Sequence, residues 1–402
     1  MFRFIAPAGA PIRISQIIQT ALGTLIQPGM QDDILKSLAG TLNARHVFVV
    51  SSGRAALSLI LKALLRLRPE GTVAVLPAYT CFTVPAAIVR AGLKLHPVEI
   101  DPCTLDFDPE GLADLQQEKA LCLITSNLFG MGHNMQRIRE AARKLGAFLV
   151  DDAAQALGST WNGEGAGLLG DVGFYSFGRG KALAAMEGGL IATNSDQIAA
   201  AIRQEEATLP GASWSHSVGL LLQLLIYAIF LKPRLYWIPN SMPFLKLGST
   251  EFNPQFPMFR LPALLRNLIP KLMERLEEFN RIRRANAAAL ASDLDRIPSF
   301  TTLRPVEGSS PNYIRFPLLA IDQARRDRAI ASLRAAGIGA SPFYPGAVCD
   351  IEGIRPHMAI ADLHFPVAED VSRRLFTLPT HSYVTRADIR TMVETLQQVS
   401  AQ

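Results

Sequence analysis

The apolar positions of this chain form short runs separated by helical patterns, and the two alternate through its first half. Val47–Val50, Val73–Leu76, Lys94–Val98, Leu121–Ser126 and Ala147–Asp151 read as buried strands. Helical patterns at 55–65, 83–91 and 135–145 lie between them. Such alternation predicts an α/β fold, a mostly parallel sheet with helices on both faces. Val172–Phe177 and Leu190–Thr193 add two strands, and a helix over 196–204 follows with Ser195 as its N-cap. Ahead of all these, residues 11–45 read as helical pieces. Ile17, Ile18, Ala21, Leu22 and Leu25 stand at helical spacing there, with a break at Gln27-Pro28-Gly29.

Beyond residue 205 the pattern changes. Val218–Leu231, VGLLLQLLIYAIFL, is almost wholly apolar, and Pro233, Pro239, Pro243, Pro254, Pro257 and Pro262 crowd the residues after it. As a helix the run spans about 21 Å, short of the ~30 Å core of a bilayer. Extension to Ile238 brings in Lys232, Pro233 and Arg234, which a spanning helix does not tolerate. Only Gln223 and Tyr227 could make a polar face, so burial on all sides is expected, in the core or at a subunit interface. Tyr227, Tyr236, Trp237, Lys232 and Arg234 also suit the edge of an anionic bilayer, which leaves peripheral membrane contact through 218–238 open. A long helix over Leu268–Leu294, passing Pro270, leads into the last part of the chain. Strands are expected there at Asn312–Ala320 and Ile338–Ser341, and helices at Asp322–Ala336 and Arg386–Val399. The expected division is a large domain over 1–250 and a smaller α+β domain over 251–402.

Composition narrows the classes of function. A chain of 402 residues, 49% hydrophobic and 19% charged, can bury a large core in two domains. The formal charge of +5 fits an anionic small substrate. No Lys/Arg run is interleaved with aromatics, which argues against nucleic acid. Cys81, Cys103, Cys122 and Cys349 show no metal spacing, and the histidines form no HExxH motif. A reducing compartment is expected, without zinc. The opening MFRFIAPAGAP is too short and too proline-broken for a signal peptide, so a cytoplasmic location is expected.

The chemistry centres on Asp171–Gly189, DVGFYSFGRGKALAAMEGG, where Lys181 sits in a short connection between two strands. A lone loop lysine is ordinarily a solvated one. Its company changes that reading. Phe148–Asp152 ends in two carboxylates, at the sheet edge where ligand chemistry collects in α/β folds. Ser51-Ser52-Gly53-Arg54 opens a helix and offers hydroxyls, free N–H groups and a positive dipole end, a seat for phosphate. A phosphate seat, a carboxylate and a lysine at one edge are what pyridoxal 5′-phosphate requires. The lysine forms the Schiff base and the carboxylate pairs with the protonated ring nitrogen. Asp152 could equally cap a helix, and Gln155, one helical turn on, could then face the same side.

SSGRAAL at 51–57, LPAYTCFTVPAAI at 76–88, VDDAAQALGS at 150–159 and GDVGFYSFGRGKALAAMEGG at 170–189 carry a resemblance, extended by RLEEFNRIRRANAAAL at 275–290 and LPTHSYVTRADI at 378–389. Over nearly the whole chain it resembles the DegT/StrS family of pyridoxal-phosphate-dependent sugar aminotransferases, which have the type I aminotransferase fold. The resemblance implies a large α/β domain with a smaller C-terminal α+β domain closing over it. It makes Lys181 the Schiff-base lysine, Asp152 the ring-nitrogen partner and Gln155 a neighbour of the ring, with Ser176, Gly53 and Arg54 holding the phosphate. Family members that dehydrate sugars carry histidine at the lysine position, so Lys181 favours transamination. The implied reaction moves an amino group from an amino-acid donor, glutamate in the family, to a keto-sugar that is nucleotide-linked.

Three positions depart from the family pattern. Arg54 stands where threonine is common, and its planar fork can still neutralise phosphate. Cys81 stands where the family places an aromatic that stacks on the ring. Met258-Phe259-Arg260 replaces Asn-x-Arg, a segment that reaches into the neighbouring subunit's site. Arg260 is kept, and the resemblance implies a homodimer. The alternative reading is a regulatory or membrane-associated member whose transaminase chemistry is altered or lost.

Overall fold

The computed structural model of the chain describes residues 3–26, 31–116, 119–242, 250–360 and 363–402. The larger sheet is built from β1 (His46–Val50), β2 (Val73–Pro77), β3 (Lys94–Val98), β4 (Ala120–Ile124), β5 (Phe148–Asp152), β8 (Val172–Ser176) and β9 (Gly189–Thr193). The two-residue strands β6 (Thr160–Trp161) and β7 (Glu164–Gly165) lie outside it. Its order is β1-β9-β8-β5-β4-β2-β3, and every neighbouring pair is parallel except those of β9, which runs against both β1 and β8.

Strand alternation divides the core into two layers. Phe48 and Val50 join one apolar cluster, with α3 (Gly53–Leu67), α4 (Thr83–Arg90) and α7 (Asp196–Ala207). Val47 and Val49 join the other. That second cluster takes in the inner faces of α1 (Ile14–Ile26), α2 (Gln31–Leu42), α6 (Met135–Lys144), α8 (Trp214–Phe230) and α10 (Ala263–Met273). The short helices α5 (Pro109–Ala113) and α9 (Trp237–Asn240) complete this part of the chain. Caps fix where the helices begin: Ser52, Ser195 and Ser213 each accept a backbone N–H of the first turn that follows.

After α11 (Leu276–Leu294) the chain builds a second sheet from β10 (Phe300–Thr302), β12 (Phe316–Ala320), β13 (Ser341–Pro342) and β14 (Leu375–Leu378). It is antiparallel throughout, in the order β10-β12-β14-β13. Strand β11 (Ser309–Ser310) instead pairs with β6. With α12 (Gln323–Ala335) and α14 (Arg386–Ala401) the sheet encloses a third core, while α13 (Pro366–Arg374) packs toward the first.

Several expectations change. The long helix expected over 268–294 is two helices, α10 and α11, because the backbone at Arg275 leaves helical values (φ −102°, ψ 3°) soon after Pro270, which lacks an N–H. The strand expected from Asn312 begins only at Phe316; Asn312 is fully buried and spends its side chain on the backbone of Gln155 and Leu157. Within the single chain 218–231 is not buried on all sides, which excludes a wholly core helix: α8 buries Leu220, Leu224 and Ala228 but exposes Val218, Leu222, Ile226 and Ile229. The break at Gln27-Pro28-Gly29 and Pro243 fall outside the described residues.

Candidate active site

At the C-terminal edge of the larger sheet a cavity of about 190 Å³ is lined by Ser52, Gly53, Arg54, Cys81, Asp152, Gln155, Ser176 and Lys181. Seven of the eight candidate side chains therefore meet in one place. The eighth, Arg260, does not join them: it is exposed, its backbone bridges Val50, and its guanidinium donates to the Ala207 carbonyl at 3.1 Å.

The two carboxylates that end β5 have different fates because successive strand residues face opposite ways. Asp151 accepts from Thr125 Oγ1 (3.0 Å), Asn127 Nδ2 (2.7 Å) and the N–H groups of Gly167 (2.6 Å) and Leu169 (3.2 Å). Those donors commit both its oxygens to structure. Asp152 caps no helix, since none follows it. Its Oδ1 accepts the Ala154 N–H at 2.9 Å, and its other oxygen has no hydrogen bond among the described residues. Burial raises its pKa to about 6, against the opposing pull of the Ala154 N–H and the Lys181 charge.

Lys181 leaves the loop between β8 and β9. Burial lowers its pKa and the Arg315 charge adds to this, while Cys81 and Asp152 oppose the shift. A lysine held toward its neutral form is the nucleophilic one. The residue keeps some exposure to the cavity, and its ammonium has no hydrogen bond among the described residues. The loop itself is fixed at several points. Phe177 N–H donates to Gly188 O (2.9 Å), Ala185 N–H to Phe177 O (2.7 Å), and Gly188 N–H to Ser51 O (2.8 Å). Gly189 passes so close to Ser52 that a Cβ there would lie 2.3 Å from the Ser52 carbonyl oxygen.

Ser52 opens α3, and Gly53 packs against Ser176 closely enough that a Cβ would sit 2.9 Å from Ser176 Cβ. Arg54 lies over the Phe256 ring at 5.0 Å, with Arg90 at 4.6 Å from the same ring. Cys81 Sγ is 3.0 Å from Thr83 Oγ1 and 3.7 Å from Thr250 Oγ1.

Residues that sequence reasoning missed hold this arrangement together. Tyr344, from the loop after β13, accepts from Gln155 Nε2 at 2.9 Å, while Gln155 Oε1 accepts the Phe129 N–H at 3.1 Å. So Gln155 faces the cavity although the helix expected to aim it is absent. Arg283 of α11 is fully buried and donates to the Ala182 carbonyl (2.8 Å), Gly9 carbonyl (3.2 Å) and Asn280 Oδ1 (2.9 Å). It anchors the residue next to Lys181 without a carboxylate, and burial pushes its pKa down to about 10. Little local marked either residue, since every partner named here but Asn280 lies a hundred or more positions away.

These residues fit pyridoxal 5′-phosphate. A helix start with Ser52, Gly53 and Ser176 provides donors for the phosphate. The spare oxygen of Asp152 awaits a proton-bearing partner. Asn127, also on the wall, has a buried acceptor in its Oδ1 that meets no hydrogen-bond donor among the described residues.

A model of the DegT/DnrJ/EryC1/StrS aminotransferase family matches residues 16–217 and 258–397. The chain is 26% identical over 368 residues to the GDP-perosamine synthase of Caulobacter vibrioides, covering 90% of this chain and 88% of that one. It is 25% identical to the pleiotropic regulatory protein of Geobacillus stearothermophilus, covering 85% and 82%. The solved structure of DesI in the presence of its TDP-sugar product shares the fold, with a TM-score of 0.78 at 21% identity, over 100% of this chain and 94% of that one. With the family's residues covered on both sides of the 218–257 insert, the chain belongs to the DegT/DnrJ/EryC1/StrS aminotransferase family and is a pyridoxal 5′-phosphate-dependent aminotransferase.

Proposed function

We propose that the enzyme transfers an amino group from an amino-acid donor, glutamate in keeping with the resemblance, to a keto-sugar carried on a nucleotide, in the making of amino sugars for polysaccharides or secondary metabolites. The observation that carries this reading is Lys181, depressed in pKa by burial, beside Asp152 in a cavity floored by the start of α3. Relatives whose names specify GDP- and TDP-linked sugars support the substrate class. When bound, the cofactor supplies the electron sink on which the amino group is carried. Lys181 would hold the cofactor's aldehyde carbon and serve as the base and acid for protons at the substrate carbon. Asp152, ionised, would accept the hydrogen bond of the ring nitrogen's N–H and so keep that nitrogen protonated. Ser52, Gly53, Arg54 and Ser176 would hold the phosphate, and Gln155 and Cys81 would border the ring.

We further propose a homodimer in the cytoplasm, in which the segment ending at Arg260 serves the neighbouring subunit's site, and peripheral membrane contact through 218–238. A second reading, regulation with the chemistry reduced, draws on Cys81 in place of a stacking aromatic and on the regulatory relative. One experiment separates the two. Borohydride reduction and peptide mapping should place a pyridoxyl group on Lys181, and the yellow protein should bleach when glutamate alone is added. A label on another lysine overturns the site; colour that no amino donor bleaches favours the regulatory reading.

A further inference from the structure

The outer faces of α1 and α8 are apolar and uncovered. Twelve of the fourteen exposed large hydrophobic side chains among the described residues lie on α1, on α8 and at α9 or just after it; only Ile321 and Ile360 lie elsewhere. On α8, Trp214, Val218, Leu222 and Ile226 follow one another at four-residue steps, opposite the buried Leu220, Leu224 and Ala228. On α1, Ile18, Leu22, Leu25 and Ile26 recur at steps of three and four and share one exposed side, while Ile17 and Thr20 are buried. The two helices pack side by side, and their inner faces belong to one core cluster. A single protein rarely leaves so continuous an apolar surface open without a partner.

Charge says which partner. Between Glu206 and Glu251 the sequence has no acidic residue, and none precedes Asp32; the fixed charges in these two stretches are Arg3, Arg13, Lys232, Arg234 and Lys246. Where α1 begins and α8 ends, Arg13, Lys232 and Arg275 line a cavity of about 430 Å³ together with Ile12, Ile14 and Ala228. Arg275 is paired with Glu278, whose carboxylate also feels the Arg13 charge, but neither Arg13 nor Lys232 makes an ion pair of its own among the described residues. Cations at the rim of an apolar face, with Trp214 and Trp237 exposed beside it, match an anionic lipid surface, phosphate above and acyl chain below. No described helix is long and apolar enough to cross a membrane.

We propose that α1 and α8 form one composite face that lies on an anionic bilayer, with a lipid phosphate seated between Arg13 and Lys232. The inference rests on the peripheral-contact reading above and extends it to α1, to a headgroup site and to a lipid charge. The first turn of α8 also touches the lysine loop, since His216 Nε2 lies 2.7 Å from Glu187 Oε1, so the docked face is joined to the active site.

The test is flotation of the full-length, cofactor-loaded protein with phosphatidylcholine vesicles, with and without phosphatidylglycerol. Wild type is expected to float with the anionic vesicles and to be released by salt. Leu22→Asp with Leu25→Asp, Leu222→Asp with Ile226→Asp, and Arg13→Glu with Lys232→Glu are each expected to lower binding at least about tenfold. Circular dichroism checks that these surface variants stay folded. Loss of binding in the α8 pair but not the α1 pair overturns the composite face while leaving contact through 218–238. Wild type that binds neither vesicle overturns both. An oligomer that the Leu222→Asp pair splits into monomers would assign the face to a second copy of the chain instead.

Discussion

The Gln155 amide donates to the Tyr344 hydroxyl across 2.9 Å, joining the turn after β5 to the loop after β13 at the wall of the active-site cavity. The Cys81 thiol and the Asp152 carboxylate act on the same hydroxyl, and burial holds its pKa well above the ordinary tyrosine value. The phenol therefore stays a neutral donor and acceptor through the working pH range.

Tyr344→Phe should leave the Gln155 amide short of its acceptor, at a cost of about 1–3 kcal/mol. A thermal shift of a few degrees and a fall in kcat/KM of about tenfold or more are expected, without loss of the bound cofactor. Calorimetry and steady-state kinetics check both. An unchanged kcat/KM would mean that the bond serves folding alone.

Asp152 gives the cofactor-free protein a definite dependence on pH. Its folded pKa of about 6 lies above the ordinary aspartate value of 3.8, so the folded state holds its proton more tightly than the unfolded chain. The stability this contributes is complete below pH ~4 and is lost as pH rises through about 6, up to about 3 kcal/mol. Without cofactor, Asp152→Asn should therefore be more stable than wild type at pH 8. With cofactor the order should reverse, and turnover should fall by roughly two to four orders of magnitude. Denaturant melts of both forms at two pH values test this. A variant less stable than wild type without cofactor at pH 8 contradicts it.

Gly53→Ala places a methyl group 2.9 Å from Ser176 Cβ and 3.1 Å from its Oγ. Relief requires the start of α3 to move away from β8, at about 1–3 kcal/mol. If both residues belong to the phosphate seat proposed above, cofactor affinity should drop about tenfold or more. Fluorescence titration with pyridoxal 5′-phosphate reads it directly, and Gly23→Ala in α1, where a Cβ meets nothing within 4 Å, is the control.

Mixing Lys181→Ala with Arg260→Ala protein should restore part of the lost activity if Arg260 completes the neighbouring subunit's site. Among the described residues the Arg260 guanidinium makes one hydrogen bond, to the Ala207 carbonyl, and lies near the Glu206 charge, so removal of this exposed side chain should alter stability little. A strictly monomeric enzyme of full activity excludes the shared site.

Much of this was legible because it is local. The strands of the larger sheet, the cap at Ser195 and the approach of Ser51–Arg54, Asp152 and Lys181 to one edge follow from short-range pattern and the regularity of parallel sheets. What stayed hidden depends on distant partners. Arg283 reads in sequence as one basic residue among several on a helix, yet it is fully buried by its carbonyl ligands. The exposure of Leu222 and Ile226 was equally unreadable, because periodicity shows that a helix has faces but not which of them lacks a neighbour.

Because β9 runs against its neighbours, the chain leaves the site's edge at Ser176 and comes back to that edge at Gly189. The lysine thus rides on a tether moored at both ends, with a third mooring at Ala182 through Arg283. Each added residue could lengthen such a tether by up to about 3.3–3.6 Å, more than the tolerance of a bond-forming geometry. Any movement of the Lys181 ammonium within the cavity therefore belongs to its four methylenes, and loop length acts as the gauge that sets their reach.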